Sequence, residues 1–150
     1  MTYTAVVVGT DGSATAELAV RHAATLVADA GARLVVVTAY EPTGDELLEK
    51  EKVPEELAWT LTDRNQAEEK ARHGREIARQ LGVSGVVTQA IAGAPGDVLL
   101  EAAADFGADL IVVGSKGLTG AARFVPGFGS VASSVSHHAP CDVLIVHTTG

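Results

Sequence analysis

The sequence predicts an open, doubly wound α/β domain with a parallel sheet. Three observations predict it. Short apolar runs of strand length alternate with longer segments whose apolar residues recur at helical spacing. Glycines stand at the ends of those segments, where a chain must turn. The run Leu110-Ile111-Val112-Val113 is followed by a loop holding Gly114, Gly117, Gly120, Gly127 and Gly129, and then by Ser130, a good N-cap, before Val131. Strand, glycine-rich loop and helix start form a physical arrangement for binding phosphate. Glycines let backbone N–H groups approach an anion, and a helix N-terminus adds unpaired donors and a positive dipole end.

Thr4-Ala5-Val6-Val7-Val8 is the first strand, ending in the turn Gly9-Thr10-Asp11-Gly12-Ser13. Ala14 to Ala30 follows as a helix with Ala19, Ala23, Leu26, Val27 and Ala30 as its apolar stripe, stopped by Gly31. Leu34-Val35-Val36-Val37, continuing through Thr38-Ala39-Tyr40, is the second buried strand. Strand, helix and strand make a right-handed parallel crossover.

Residues 41–62 differ, with Pro42, Gly44, Pro54 and charges at Asp45, Glu46, Glu49, Lys50, Glu51 and Lys52. They read as an excursion of loop and short helix, a solvated insertion, with a lid or a partner contact as the alternative. From Asp63 a helix resumes with Ala67, Ala71, Ile77, Ala78 and Leu81 on one face and Gly82 closing it. Gly74 costs its middle about 1 kcal/mol relative to Ala. Val86 to Ile91 is a shorter, partly polar strand suited to a sheet edge. Pro95 then fits the first position of a helix whose stripe is Val98, Leu99, Ala102, Ala103 and Phe106, closed by Gly107. After the opening loop comes a short helix over Val131 to Val135, broken by His137-His138-Ala139-Pro140, and a final strand from Asp142 to His147. The tally is five strands alternating with four helical segments, read as a single domain over 1–150 without repeat or linker.

Composition narrows the functions. Apolar residues make up 47% of the chain but aromatics only 4%, which leaves little for stacking on bases. The net charge of −8 argues against nucleic acid, whose phosphates need a basic face. No apolar run approaches membrane-spanning length and no signal peptide is visible, so no membrane partner is expected. One cysteine, Cys141, forms no internal disulfide, which fits a cytoplasmic protein, and before a buried strand it reads as a small core hydrophobe. In doubly wound sheets ligands bind outside the carboxyl ends of the strands, so the loops after strands one, two and four are expected to meet.

Other constellations fail. Lys116 is preceded by Ser115, so there is no Walker loop. Gly127-Phe128-Gly129-Ser130-Val131-Ala132 satisfies a dinucleotide pattern but follows no strand and lacks the acidic residue about twenty positions on. No hydrolase elbow occurs. His137, His138 and Cys141 are too few and too differently directed for a closed metal site.

These residues resemble the universal stress protein family across essentially the whole chain. The resemblance rests on Gly114-Ser115-Lys116-Gly117, on the turn Gly9 to Ser13, and on the ending Ser136 to Val146. It implies a flavodoxin-like sheet of order 3-2-1-4-5 and a homodimer paired antiparallel through the last strand, Val143 to His147. It also implies an adenine nucleotide, ATP by default with Mg as its companion, or AMP or cyclic AMP. On this resemblance Asp11 would accept from the ribose or base edge, while Thr10 and Ala39 would line the adenine pocket, Ala39 through backbone groups, and Gly9 and Val113 would belong to the same nucleotide site. Gly114, Ser115 and Gly117 would present backbone N–H to the phosphates, and Gly129, Ser130 and Val131 would hold the distal ones. The alternative role for Asp11 is the N-cap of the first helix. Lys116 and Arg123 would pair with phosphate or be solvated. The chain departs from the family's glycine spacing, because Phe128 follows Gly127 and the Gly-Ser pair comes two residues late. Pro126-Gly127 thus reads as an insertion, and the register that keeps Gly129-Ser130 at the helix start is favoured. The expected function is a nucleotide-dependent stress or signalling regulator and not an enzyme. Slow ATP hydrolysis and a nucleotide-independent dimer are the alternatives.

Overall fold

The structure is a computed structural model that describes residues 3–40, 63–115 and 131–147. The described elements, in chain order, are β1 (Ala5–Gly9), α1 (Ala14–Ala30), β2 (Arg33–Tyr40), α2 (Asp63–Gln80), β3 (Val87–Ala92), α3 (Pro95–Phe106), β4 (Leu110–Gly114), α4 (Val131–His138) and β5 (Asp142–Val146). The strands form one parallel sheet in the order β3-β2-β1-β4-β5, as the resemblance implies, with β3 at an edge. The excursion over 41–62 and the loop residues Lys116, Gly117, Arg123, Pro126, Gly127, Gly129 and Ser130 lie outside the described residues.

Alternation along each strand feeds two cores. Val6, Val8, Leu34, Val36, Leu110 and Val112 pack under α1 and α2. Val7, Val35, Val37, Ile111 and Val113 pack under α3 and α4. Both faces of the central strands are therefore covered, which is why their sequence reads as unbroken Val and Ile rather than as alternation.

Local chemistry sets the element ends. Ser13 Oγ accepts from the Ala16 N–H at 3.1 Å, and Gly31 closes α1 in the left-handed region at φ 68°. Gly107 closes α3 in the same way. Three expectations need correction. Leu26 and Leu81 are both 38% exposed, and the buried stripe of α1 instead runs through Ala16, Ala19, Val20, Ala23, Ala24 and Val27. Small residues let α1 sit closely on the sheet, so the bulkier Leu26 falls outside the contact. α4 runs on through His138, where Nδ1 pairs with the Ser134 carbonyl at 2.9 Å. The break belongs to Ala139-Pro140, since the residue before proline is driven out of helical geometry.

At the amino ends of the strands, Asp109 ties β1 to β4. Its carboxylate accepts from the N–H of Thr4 at 2.9 Å and of Ala5 at 3.1 Å, and from the Thr4 hydroxyl at 3.1 Å. Tyr3 donates its hydroxyl to Asp142 at 2.8 Å, which joins the segment before β1 to the start of β5.

Candidate functional site

The carboxyl ends of β1, β2 and β4 open on a cleft, the expected place for a ligand in this topology. Of the residues singled out in the sequence, Gly9, Thr10, Asp11, Ala39, Val113, Gly114 and Val131 line it together. Sequence reasoning missed Ala16, Val37, Pro95, Val98 and Leu99. Two signals for them were present. Val37 shares a strand face with Ala39, and Leu99 lies one helical turn beyond Pro95 in the loop-to-helix junction after β3.

The turn after β1 is held by its own side chains. The Thr10 N–H donates to the Val37 carbonyl at 2.9 Å, extending the ladder one rung past Gly9. Then the chain leaves the sheet. Thr10 Oγ1 accepts from the Gly12 N–H at 3.1 Å, and Asp11 Oδ1 accepts from the Ser13 N–H at 2.9 Å. Gly12 adopts φ 82°, a conformation that side chains resist. Ser13, not Asp11, caps α1. Asp11 thus closes an Asx turn, because the N–H that its carboxylate accepts belongs to Ser13, which precedes the helix rather than lying in its first turn.

That departure has a consequence for β2. Arg33 donates to Thr4 and Val37 accepts from Thr10, whereas Tyr40 accepts from Gly93 of the β3 side. Odd-numbered residues of β2 therefore turn their backbone groups toward β1, and even-numbered ones toward β3. By that alternation the N–H and C=O of Ala39 face the side from which β1 has already gone. A donor and an acceptor are presented side by side at the cleft wall.

The remainder of the wall is apolar, formed by Val37, Pro95, Val98, Leu99, Val113 and Val131. Asp11 carries the one carboxylate among the described lining residues. At the β4 end the Ser115 N–H donates to the Val146 carbonyl at 2.8 Å and so closes the β4–β5 ladder. Gly114 is buried beside it, and the first residue of α4, Val131, brings that helix start to the cleft.

Displaced pKa values fall at the opposite end of the sheet. Burial pushes the Asp109 carboxyl up, but hydrogen bonds from Thr4 and Ala5 outweigh it and hold the group below its ordinary value. The hydrogen bond to Asp142 raises Tyr3, and burial raises Cys141. All three serve the strand starts. Among the described residues no three His, Cys, Asp or Glu side chains are grouped to hold a metal, and no helix is long and apolar enough to cross a membrane.

The family model for universal stress proteins matches residues 2–147. This chain belongs to the universal stress protein family. It is 40% identical over 148 residues to a universal stress protein of Mycobacterium tuberculosis, covering 98% of each chain. Among solved structures it is similar to a universal stress protein in complex with cAMP, with 34% identity and a TM-score of 0.73 over 99% of this chain and 100% of that one. It is also similar to a universal stress protein from Archaeoglobus fulgidus in complex with dAMP, with 25% identity and a TM-score of 0.69 over 97% and 98% of the two chains. Universal stress proteins with adenine nucleotides bound therefore share this sheet and helix arrangement.

Proposed function

We propose that this universal stress protein binds an adenine nucleotide in the cleft at the carboxyl ends of β1, β2 and β4, and that occupancy regulates its interactions in a cytoplasmic stress or signalling response. The observation that carries the reading is the Ala39 backbone pair opening onto an apolar slot. An adenine edge offers an acceptor ring nitrogen beside a donor amino group, which is the complement of an N–H beside a C=O. Flat apolar walls suit the ring faces, and Asp11 at the rim would accept from ribose hydroxyls. The start of α4 at Val131 would favour phosphate through its dipole. The relatives solved with cAMP and dAMP support the same ligand class.

ATP, AMP and cyclic AMP are the candidates. Mg would accompany ATP chiefly through phosphate oxygens and water, with Asp11 as the available carboxylate. Hydrolysis needs a group that orients water in addition to the metal, so we favour binding over catalysis. The exposed outer edge of β5 supports a homodimer through the last strand, since Leu144 is 37% and Ile145 46% exposed there.

Mass spectrometry of ligand released from natively purified protein tests the reading, followed by thermal melts with each nucleotide. A ligand at 100 times its Kd adds about 2.7 kcal/mol to stability. Stabilisation by at least one of ATP, AMP and cyclic AMP is expected. Protein that co-purifies without nucleotide and melts unchanged with all three overturns it in favour of a nucleotide-independent dimer.

A further inference from the structure

Gly9 ends β1 on the floor of the cleft, and Leu99 of α3 lies directly on it. The Leu99 Cδ2 and Cδ1 atoms stand 3.0 and 3.2 Å from the point a Cβ on Gly9 would occupy. Leu99 lines the open cleft yet is only 4% exposed, so it belongs to the sunken end and not to the rim. Val98 and Val113, at 2% and 3% exposure, flank that end from the helix and from β4. A branched side chain packed down on backbone at a buried end of the cleft resists displacement, because interiors at this density transmit strain.

We propose that Leu99, seated on Gly9, is the specificity-determining stop at the ring end of this cleft. It sets the depth for an unsubstituted adenine and rejects bases that carry added apolar groups. The inference rests on the nucleotide reading above. Its physical content is a pairing. Glycine at position 9 is what allows Leu99 to come down so far, and Leu99 at that depth is what limits the ligand. Replacing Leu99 by alanine leaves an apolar void, which stays dry and open to an apolar substituent. Adding a methyl at position 9 fills the floor and presses Leu99 outward by a few tenths of an ångström.

The test is calorimetric titration of wild type, Leu99→Ala, Leu99→Val, Gly9→Ala and the Gly9→Ala/Leu99→Ala double variant. The probes are whichever of ATP, AMP and cyclic AMP wild type binds most tightly, together with its N6-benzyl, 2-phenyl and 8-phenyl derivatives. Wild type is expected to bind every derivative at least about tenfold more weakly than the parent, a difference of about 1.4 kcal/mol. Leu99→Ala should recover about tenfold for at least one derivative relative to the parent, and Leu99→Val should shift the same way by less. Gly9→Ala should weaken the parent nucleotide, and Leu99→Ala should relieve that loss in the double variant, a non-additivity that reports direct contact. Derivative-to-parent ratios unchanged across the variants, with parent binding intact, overturn this proposal alone. Wild type that binds none of the three nucleotides overturns the nucleotide reading and this proposal together. Leu99→Val keeps the comparison available if Leu99→Ala does not fold.

Discussion

Val36 Cγ1 stands 2.8 Å from the position that a Cβ on Gly74 would take. The glycine that weakens α2 as an isolated helix is therefore the point where α2 descends onto β2. Gly74→Ala would gain about 1 kcal/mol of helix propensity. It would lose about 1–3 kcal/mol to overpacking against a β-branched side chain fixed in the strand. The expected outcome in urea titration is a net loss, relieved when Val36→Ala is added. A stabilised Gly74→Ala variant would show that α2 can lift off the sheet freely.

The Asp109 clasp makes a pH prediction. Its folded pKa lies below the unfolded value of about 3.9. Its contribution is therefore fully present above about pH 4 and is lost as the pH falls through the folded value. Asp109→Ala should lower stability by about 1 kcal/mol near neutrality, charge-assisted bonds being discounted here for solvent access. That deficit should shrink as the pH falls from the unfolded value through the lower folded one. Equilibrium unfolding of the two proteins from about pH 2 to pH 7 checks it. A deficit independent of pH would assign Asp109 a purely steric role.

Ser13→Ala should cost about 1 kcal/mol by removing the acceptor for the Ala16 N–H. Ser13→Asp should retain most of it, because a carboxylate accepts the same bond and suits the helix dipole. Thermal melts of the two variants separate the cap from general loss of packing. Equal losses in both would mean that the Asp11 Asx turn, and not the cap, holds this corner.

Much of this architecture is legible because each element carries its own punctuation. Ser13 and Gly31 bracket α1, Pro95 and Gly107 bracket α3, and both pairs act through local backbone geometry that needs no tertiary partner. What is not legible depends on contacts distant in sequence. The exposure of Leu26 follows from how closely an alanine-rich face meets the sheet, which spacing alone does not encode. The engagement of the Ser115 N–H depends on β5 arriving alongside with the Val146 carbonyl. At the cleft, residues on the three strand ends can be read from topology, since strand order says which loops converge. Pro95, Val98 and Leu99 are harder to read, because helical spacing from Pro95 marks their shared face but not that α3 brings it to the site by packing across the sheet.

The outer edge of β5 supplies a prediction about assembly. Successive residues of a strand point to opposite faces, and Leu144 and Ile145 are exposed in turn, so both faces of the sheet are apolar at this border. An unpaired edge of that kind is a template for a second strand. Ile145→Lys should convert dimer to monomer in sedimentation velocity at micromolar concentration while leaving the thermal stabilisation by nucleotide in place. An Ile145→Lys variant that stays dimeric would move the interface elsewhere, and a wild-type protein already monomeric under those conditions would refute the dimer.

Asp11 has two tasks that substitution can pull apart. Its Oδ1 accepts from the Ser13 N–H, which holds the turn, and its carboxylate faces the cleft rim. Asparagine keeps an oxygen for the Ser13 N–H but removes the charge, whereas alanine removes both. Hydrogen bonds to a charged group are worth about 1.5–3 kcal/mol, or about 10–100-fold in affinity. Asp11→Asn should therefore weaken adenine-nucleotide binding by about tenfold or more with the melting temperature of the free protein unchanged. Asp11→Ala should weaken it at least as much and lower that melting temperature as well. Calorimetric titration beside thermal melts reads both quantities. Should Asp11→Asn bind as wild type does, the carboxylate makes no ligand contact and its place at the rim is explained by the turn alone.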